Sequence, residues 1–190
     1  LAGLLFVAGF IPYISAILRD RKLPTGTPGK AEPSKASWII WASMDPILLA
    51  GMFAKHAVNG QIVGAITGAW IVVVLALKYG VPGWTKIDKF CLGSVVLGLM
   101  LWAWFRNPVI SIAVNCGAGF IGSIPTIVAA WKDPSRESRL AWTIFFASCV
   151  CAMIAIPHWT PEDAAQPSLF FTIETIMMYI LWIRPRILSS

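Results

Sequence analysis

Charge is scarce in this 190-residue sequence: 13% of it is Asp, Glu, Lys or Arg, against 57% hydrophobic residues and a mean hydropathy of +0.73. An ordinary soluble domain carries about a quarter of its residues as charges, so that class is ruled out first. Cysteine is scarce too. Cys91, Cys116, Cys149 and Cys151 all fall in apolar stretches and form no CxxC pair, which argues against a disulfide framework or a zinc site. HExxH, GxSxG and a glycine-rich phosphate loop are all missing, and His56 and His158 stand at the ends of apolar runs, where a solvated interfacial role outweighs metal binding or pH sensing. No enzyme, catalytic residue, metal or cofactor is therefore expected. A retinal protein needs a lysine in its last span for the Schiff base, and residues 167–183 contain none.

What is present in abundance is apolar sequence. Seven apolar segments, at about 2–18, 37–55, 60–78, 88–105, 108–131, 140–157 and 167–183, are separated by charge, Pro and Gly. A spanning helix needs about 20 mainly apolar residues, so seven use nearly the whole chain and no separate soluble domain fits. The expected fold class is an all-α integral membrane protein with seven transmembrane helices. The longest polar stretch, Arg19 to Lys35, holds Pro24, Gly26, Pro28, Gly29 and Pro33 and reads as a loop outside the bilayer. The sequence opens on an apolar segment with no basic region or cleavage signature before it, so a cleavable signal peptide is not expected; residues preceding Leu1 are left open.

The charge that exists is one-sided. Thirteen of the 15 Lys and Arg residues fall in one set of connections and the chain end, whereas the opposite set holds only Lys55 and Arg106, with Glu162 and Asp163 in its last loop. The positive-inside rule then puts the N-terminus outside and the C-terminus in the cytoplasm. The net charge of +6 is explained by topology, with attraction to anionic membrane lipid as a secondary effect and no nucleic-acid partner.

The chain also repeats itself. Gly9, Ile11, Pro12, Ile14, Ala16 and Asp20 recur as Gly122, Ile124, Pro125, Ile127, Ala129 and Asp133, the pattern G-x-I-P-x-I-x-A-x-x-x-D in both places. Trp38, Ile40 and Trp41 are matched by Trp142, Ile144 and Phe145. Two parallel three-helix units joined by a spare helix follow: residues 1–80, a linker helix at 81–107, and residues 108–190. Such a 3+1+3 parallel repeat, with a proline late in the first helix of each half, resembles the PQ-loop superfamily, which includes the SWEET sugar transporters, lysosomal amino-acid exporters and KDEL receptors. Ile-Pro-Tyr-Ile at 11–14, Ser-Trp-Ile-Ile-Trp at 37–41, Leu-Lys-Tyr-Gly at 77–80 and Thr-Lys-Ile-Asp at 85–88 look most like small bacterial PQ-loop-like membrane proteins. Tyr13 and Thr126 stand where the superfamily's signature Gln would follow each proline. The resemblance implies a multi-pass protein of the cell membrane, with the bacterial inner membrane as its setting.

Charge inside a membrane is costly and by default functional. Asp45 and Glu174 fall about nine and seven residues into their spans, roughly 10 to 14 Å deep at 1.5 Å per residue, near the centre of a core about 30 Å thick. Asn115 is placed similarly. Trp70, with Thr67 one turn earlier, would add an aromatic wall and a hydroxyl. The functional reading is a midplane cavity in which a carboxyl binds a proton or a small-molecule substrate; the competing one is a pair of protonated acids locking helices together. Pro12, Pro125 and Pro46 fit hinges and static kinks equally. Gly64 and Gly68 suggest close helix packing, Gly117 only weakly so. Trp38, Trp41, Trp142 and Trp182, with Trp102, Trp104 and Trp159, read as aromatic belts at the two membrane faces. The leading expectation is a small-molecule transporter working by alternating access, with proton coupling through Asp45 or Glu174 as its optional refinement; the alternatives are a non-transporting receptor and an accessory or structural subunit of a membrane complex. A homo-oligomer stays open.

Overall fold

The computed structural model describes residues 1–81, 83–105 and 107–188. Arg106, counted above on the sparsely charged side, lies outside them, as does the side chain of Trp102. Helices account for most of the described chain: α1 (Ala2–Asp20), α2 (Lys35–Ala54), α3 (Gly60–Tyr79), α4 (Lys86–Phe105), α5 (Pro108–Lys132), a 3-10 turn at Pro134–Arg136, α6 (Arg139–Ile154) and α7 (Pro161–Met178). A π-helical turn at Tyr179–Ile183 carries α7 into the short α8 (Arg184–Leu188). Among the described residues α1, α2, α3, α5 and the continuous α7–α8 segment are long and apolar enough to cross a membrane, while α6 is apolar but has 16 residues. An all-helical, multi-pass membrane protein is compatible with these lengths.

Local sequence explains where the helices begin. Ser34, Asn59, Asn107, Ser138 and Thr160 each place a side-chain oxygen on a free backbone N–H of the first turn of α2, α3, α5, α6 and α7, satisfying donors that would otherwise be orphaned. The Thr160 cap, followed by Pro161 and the acidic first turn of Glu162 and Asp163, starts α7 six residues before the apolar run at 167. Pro12, Pro46 and Pro125 stand inside helices without ending them. Next to Pro125, the Thr126 N–H donates to Ser37 Oγ of α2 at 3.1 Å, tying α5 to α2 where the proline has removed a donor.

Packing is densest between α2 and α5 and between α1 and α6; α3 packs on both α1 and α2, α7 on both α5 and α6, and α4 lies against α5. Small residues set the close approaches. A Cβ on Gly64 would strike the backbone of Gly3, and one on Gly68 the ring of Phe10, so α3 meets α1 as the Gly64–Gly68 spacing suggested. Gly9 accommodates Phe145 and Gly122 accommodates Ile40, whereas Gly117 faces open space.

Two expectations need correction. Trp38 and Trp142 are not membrane-face residues: they are 5% and 2% exposed in the main core, with Phe6, Phe10, Tyr13 and Phe145. Their rings pack there because each indole N–H has a buried acceptor, without which burial would be costly. Trp41 and Trp182 are half-buried against the same core, and Trp104 and Trp159 are exposed. The stretch from Arg19 to Lys35 is also more than a surface loop. It starts exposed, but Lys30 to Ser34 are buried, held by Ala31 N–H on Asp20 Oδ2 at 3.1 Å and Val81 N–H on the Pro33 carbonyl at 3.4 Å.

A candidate cavity with two carboxyl groups

A cavity of about 50 Å³ lies within the bundle, bordered by α1, α2, α3, α6 and α7. Asp45 of α2 and Glu174 of α7 both line it, so the two acids that sequence placed near mid-depth meet at one space. Both are buried, and Glu174 Oε2 has no hydrogen-bond partner among the described residues. The remaining lining is largely aromatic, with Phe6, Phe10, Phe145 and Phe170 around the acids and Ala65 and Ala69 of α3 supplying the room. About 50 Å³ accommodates one or two waters and nothing larger. The arrangement is thus a small, mostly apolar space bordered by two groups able to exchange protons.

Trp38 and Trp142 form one border of the cavity, and hydrogen bonds fix both. Trp38 Nε1 donates to the Tyr13 hydroxyl at 3.1 Å, and Trp142 Nε1 donates to Glu137 Oε2 at 2.8 Å. Beyond them, at the end of the bundle holding the α1–α2 connection, lies a buried ionic cluster. Glu32 takes Lys30 Nζ at 3.1 Å, the Gly26 N–H at 3.2 Å and Arg136 at 3.5 Å. Arg136 also reaches Asp133 at 3.2 Å. Burial opposes ionisation of Asp133, yet the Ser135 hydroxyl and N–H together with Arg136 hold its carboxyl below the usual carboxylate range. Glu137 has no such cation among the described residues, and burial pushes its carboxyl up to about 7 although Trp142 and Tyr13 donate to it.

The opposite end is held by neutral groups. Gln61 of α3 donates to Ser148 at 3.4 Å and Cys149 at 3.1 Å, Gln166 of α7 donates to Gln61 at 3.1 Å, and Asn59 donates to Gln166 at 2.8 Å. Ser148 in turn donates to the Ala2 carbonyl at 2.8 Å. Four helices are joined there through fully buried amides, which hydrogen bonding makes affordable in the interior.

Not every expected residue is at the cavity. Trp70 is 52% exposed and Thr67 is exposed with its hydroxyl on the Val63 carbonyl at 2.8 Å; neither lines it. They lie on the outward face of α3, whose buried stripe runs through Gln61, Ala65, Ala69 and Val72. Asn115 is buried but turned to its own helix, donating to the Ser111 carbonyl at 2.7 Å, with its Oδ1 unpartnered among the described residues. Pro12 is half-buried, Pro125 buried and Pro46 exposed. Glu137 and the two glutamines escaped notice in the sequence, which singles out Tyr13 only as the residue standing in place of the superfamily's Gln. Gln61 and Gln166, near the starts of α3 and α7, are the pair a comparison of the two halves could have found.

No family model matches the chain, and no curated protein or solved structure matches it. The class that the fold defines is an all-helical protein with several helices able to cross a membrane. The particular activity has to be argued from the cavity.

Proposed function

We propose that the chain is a small-molecule membrane transporter of PQ-loop/SWEET-like type, which exposes the Asp45–Glu174 cavity alternately to the two sides of the membrane. The observation that carries this reading is the cavity itself. Asp45 of α2 and Glu174 of α7 line one small space, and Glu174 Oε2 lacks a hydrogen-bond partner among the described residues, whereas acids serving only to lock helices would be enclosed by partners. In this reading α1–α3 and α5–α7 form two parallel bundles, α4 is the linker between them, and the chain runs N-out, C-in. The packing supports it: α1 against α6 answers α5 against α2, and in both pairs the repeated glycine, Gly9 or Gly122, is where the side chain of the facing helix packs. The ionic cluster closes the cytoplasmic side, the glutamine network the outer side, and the cavity opens when one of them parts. Proton exchange at Asp45 or Glu174 is the coupling reaction.

The test is a thermal-shift screen of the purified protein with sugars, amino acids, nucleosides and vitamins at two pH values, since a ligand that binds the folded state raises its stability by about 2.7 kcal/mol at a hundred times Kd. One class should stabilise the protein, and Asp45→Asn or Glu174→Gln should abolish that response or its pH dependence while the protein still folds. A ligand response identical in both variants would remove the cavity from the mechanism. Binding without uptake into proteoliposomes would instead favour a receptor.

A further inference from the structure

Glu137 belongs to neither the cavity nor the ionic cluster, yet it connects two spaces. It follows the 3-10 turn and precedes α6, is 6% exposed, and borders an open cleft of about 520 Å³ shared with Asp20, Arg19 and Arg139. On its other side it accepts from Trp142 Nε1 at 2.8 Å and from the Tyr13 hydroxyl, which itself accepts from Trp38 Nε1 at 3.1 Å. The result is one chain of hydrogen bonds, Trp38 to Tyr13 to Glu137 and Trp142 to Glu137, whose two indole rings border the cavity.

We propose that Glu137 is a proton-binding site filled from the cleft, and that its protonation rearranges the Trp38–Trp142 border of the cavity. The site does not depend on the transporter reading; only its role in coupling does. The step is a simple one. A hydronium ion from the cleft gives a proton to the Glu137 carboxylate, one O–H bond forms, water is released and no electrons change hands. As a carboxylate Glu137 accepts from both Tyr13 and Trp142; as an acid it has a hydrogen of its own to place. Trp142 Nε1 can only donate, so that hydrogen goes to the Tyr13 oxygen, and the Tyr13 hydrogen must turn elsewhere.

The groups facing Glu137 leave its proton to be decided locally. Arg136 is held by Glu32 and Asp133, and Lys30 by Glu32. In the cleft Arg19 is paired with Asp20 at 2.8 Å, and Arg139 lies over the Trp182 ring. From α7, Glu174 faces it as a second carboxyl and brings no cation, and α1 and α6 contribute Tyr13 and Trp142. Burial accordingly puts the Glu137 transition at about 7, where a proton can come and go.

Difference infrared spectroscopy of the whole protein in lipid nanodiscs, titrated from about pH 5.5 to about pH 8.5 around that value, tests this without any ligand. The expected result is a protonated-carboxyl band that disappears with a midpoint near 7, is missing in Glu137→Gln and persists in Glu174→Gln, with the near-ultraviolet dichroism of tryptophan changing at the same midpoint. A band with its midpoint near 7 that survives unaltered in Glu137→Gln but is lost in Asp45→Asn or Glu174→Gln, or a Glu137 midpoint in the ordinary carboxylate range, overturns the proposal. Should Glu137→Gln not fold, Tyr13→Phe removes a donor to the carboxylate and must raise the midpoint; an unmoved midpoint is equally fatal. Absence of transport would leave these spectra as they are, so failure of the transporter reading is distinguishable from failure of the site.

Discussion

At the scale of single residues, the acids govern how the protein responds to pH, and Glu137 gives the clearest forecast. Its carboxyl, ordinarily near 4.5, is raised to about 7 by burial, so the folded state holds the proton more tightly than the unfolded chain. The stabilisation is complete below about 4.5 and is lost as pH rises through about 7, a loss of roughly 3 kcal/mol at about 1.4 kcal/mol per pH unit. Measured by thermal unfolding, the wild type should therefore lose stability relative to Glu137→Gln between about pH 5 and about pH 8; parallel curves would refute that sign. Asp45 and Glu174 were legible in the sequence because charge deep in an apolar run has few explanations. Trp70 misled because a bulky aromatic in mid-span invites a binding role, while the neighbour that borders the cavity, Ala69, contributes by being small. Ala69→Leu should consequently weaken ligand binding at least tenfold by filling about 50 Å³ of space, and Trp70→Leu should leave it within twofold.

At the scale of elements, what joins one helix to another decides stability more than the apolar content of either. Gly64 lets α3 rest on the backbone of α1, and backbone yields less than a side chain would. Gly64→Val should cost about 1–3 kcal/mol or more in denaturant unfolding, against almost nothing for Gly117→Ala, whose Cβ would meet no atom. The α1–α2 connection offers a second contrast. Glu32→Gln leaves Lys30 buried without its partner, a change worth about 3–5 kcal/mol, while Arg136→Gln leaves Glu32 still paired with Lys30 and should cost under about 1 kcal/mol because Arg136 is partly exposed. Equal losses would mean that Lys30 has reached water. Helix positions were readable from apolar runs and punctuation to within a few residues, and the largest displacement, the early start of α7, follows from the Thr160 cap and acidic first turn outside the apolar window. The tucked Lys30–Ser34 segment was not readable. Its composition is that of a loop, and only the tertiary partners Asp20, Arg136 and Val81 draw it under the bundle.

At the scale of the whole molecule, the distribution of charge and the distribution of polar contacts point the same way. The end of the bundle that carries Lys30, Glu32, Asp133 and Arg136 is held by ions, and its loops contain most of the Lys and Arg residues; the other end is held by Gln61, Gln166, Asn59 and Ser148. A protein inserted by the positive-inside rule keeps the first end in the cytoplasm, because moving those cations across the membrane is opposed during insertion. The sequence carried this asymmetry openly, since it depends on composition along the chain and not on which faces meet. Thr25 in the α1–α2 connection and His158 between α6 and α7 are exposed at the two ends, and the native cysteines are buried or half-buried, so the parent protein serves as the blank. On intact expressing cells a membrane-impermeant maleimide should label His158→Cys and leave Thr25→Cys unlabelled until the membrane is opened. Labelling of Thr25→Cys alone would invert the proposed N-out, C-in arrangement and make the glutamine network the cytoplasmic closure. Equal labelling of both would mean two orientations in the membrane, and the assignment of the ionic cluster to the cytoplasmic side would fall with it.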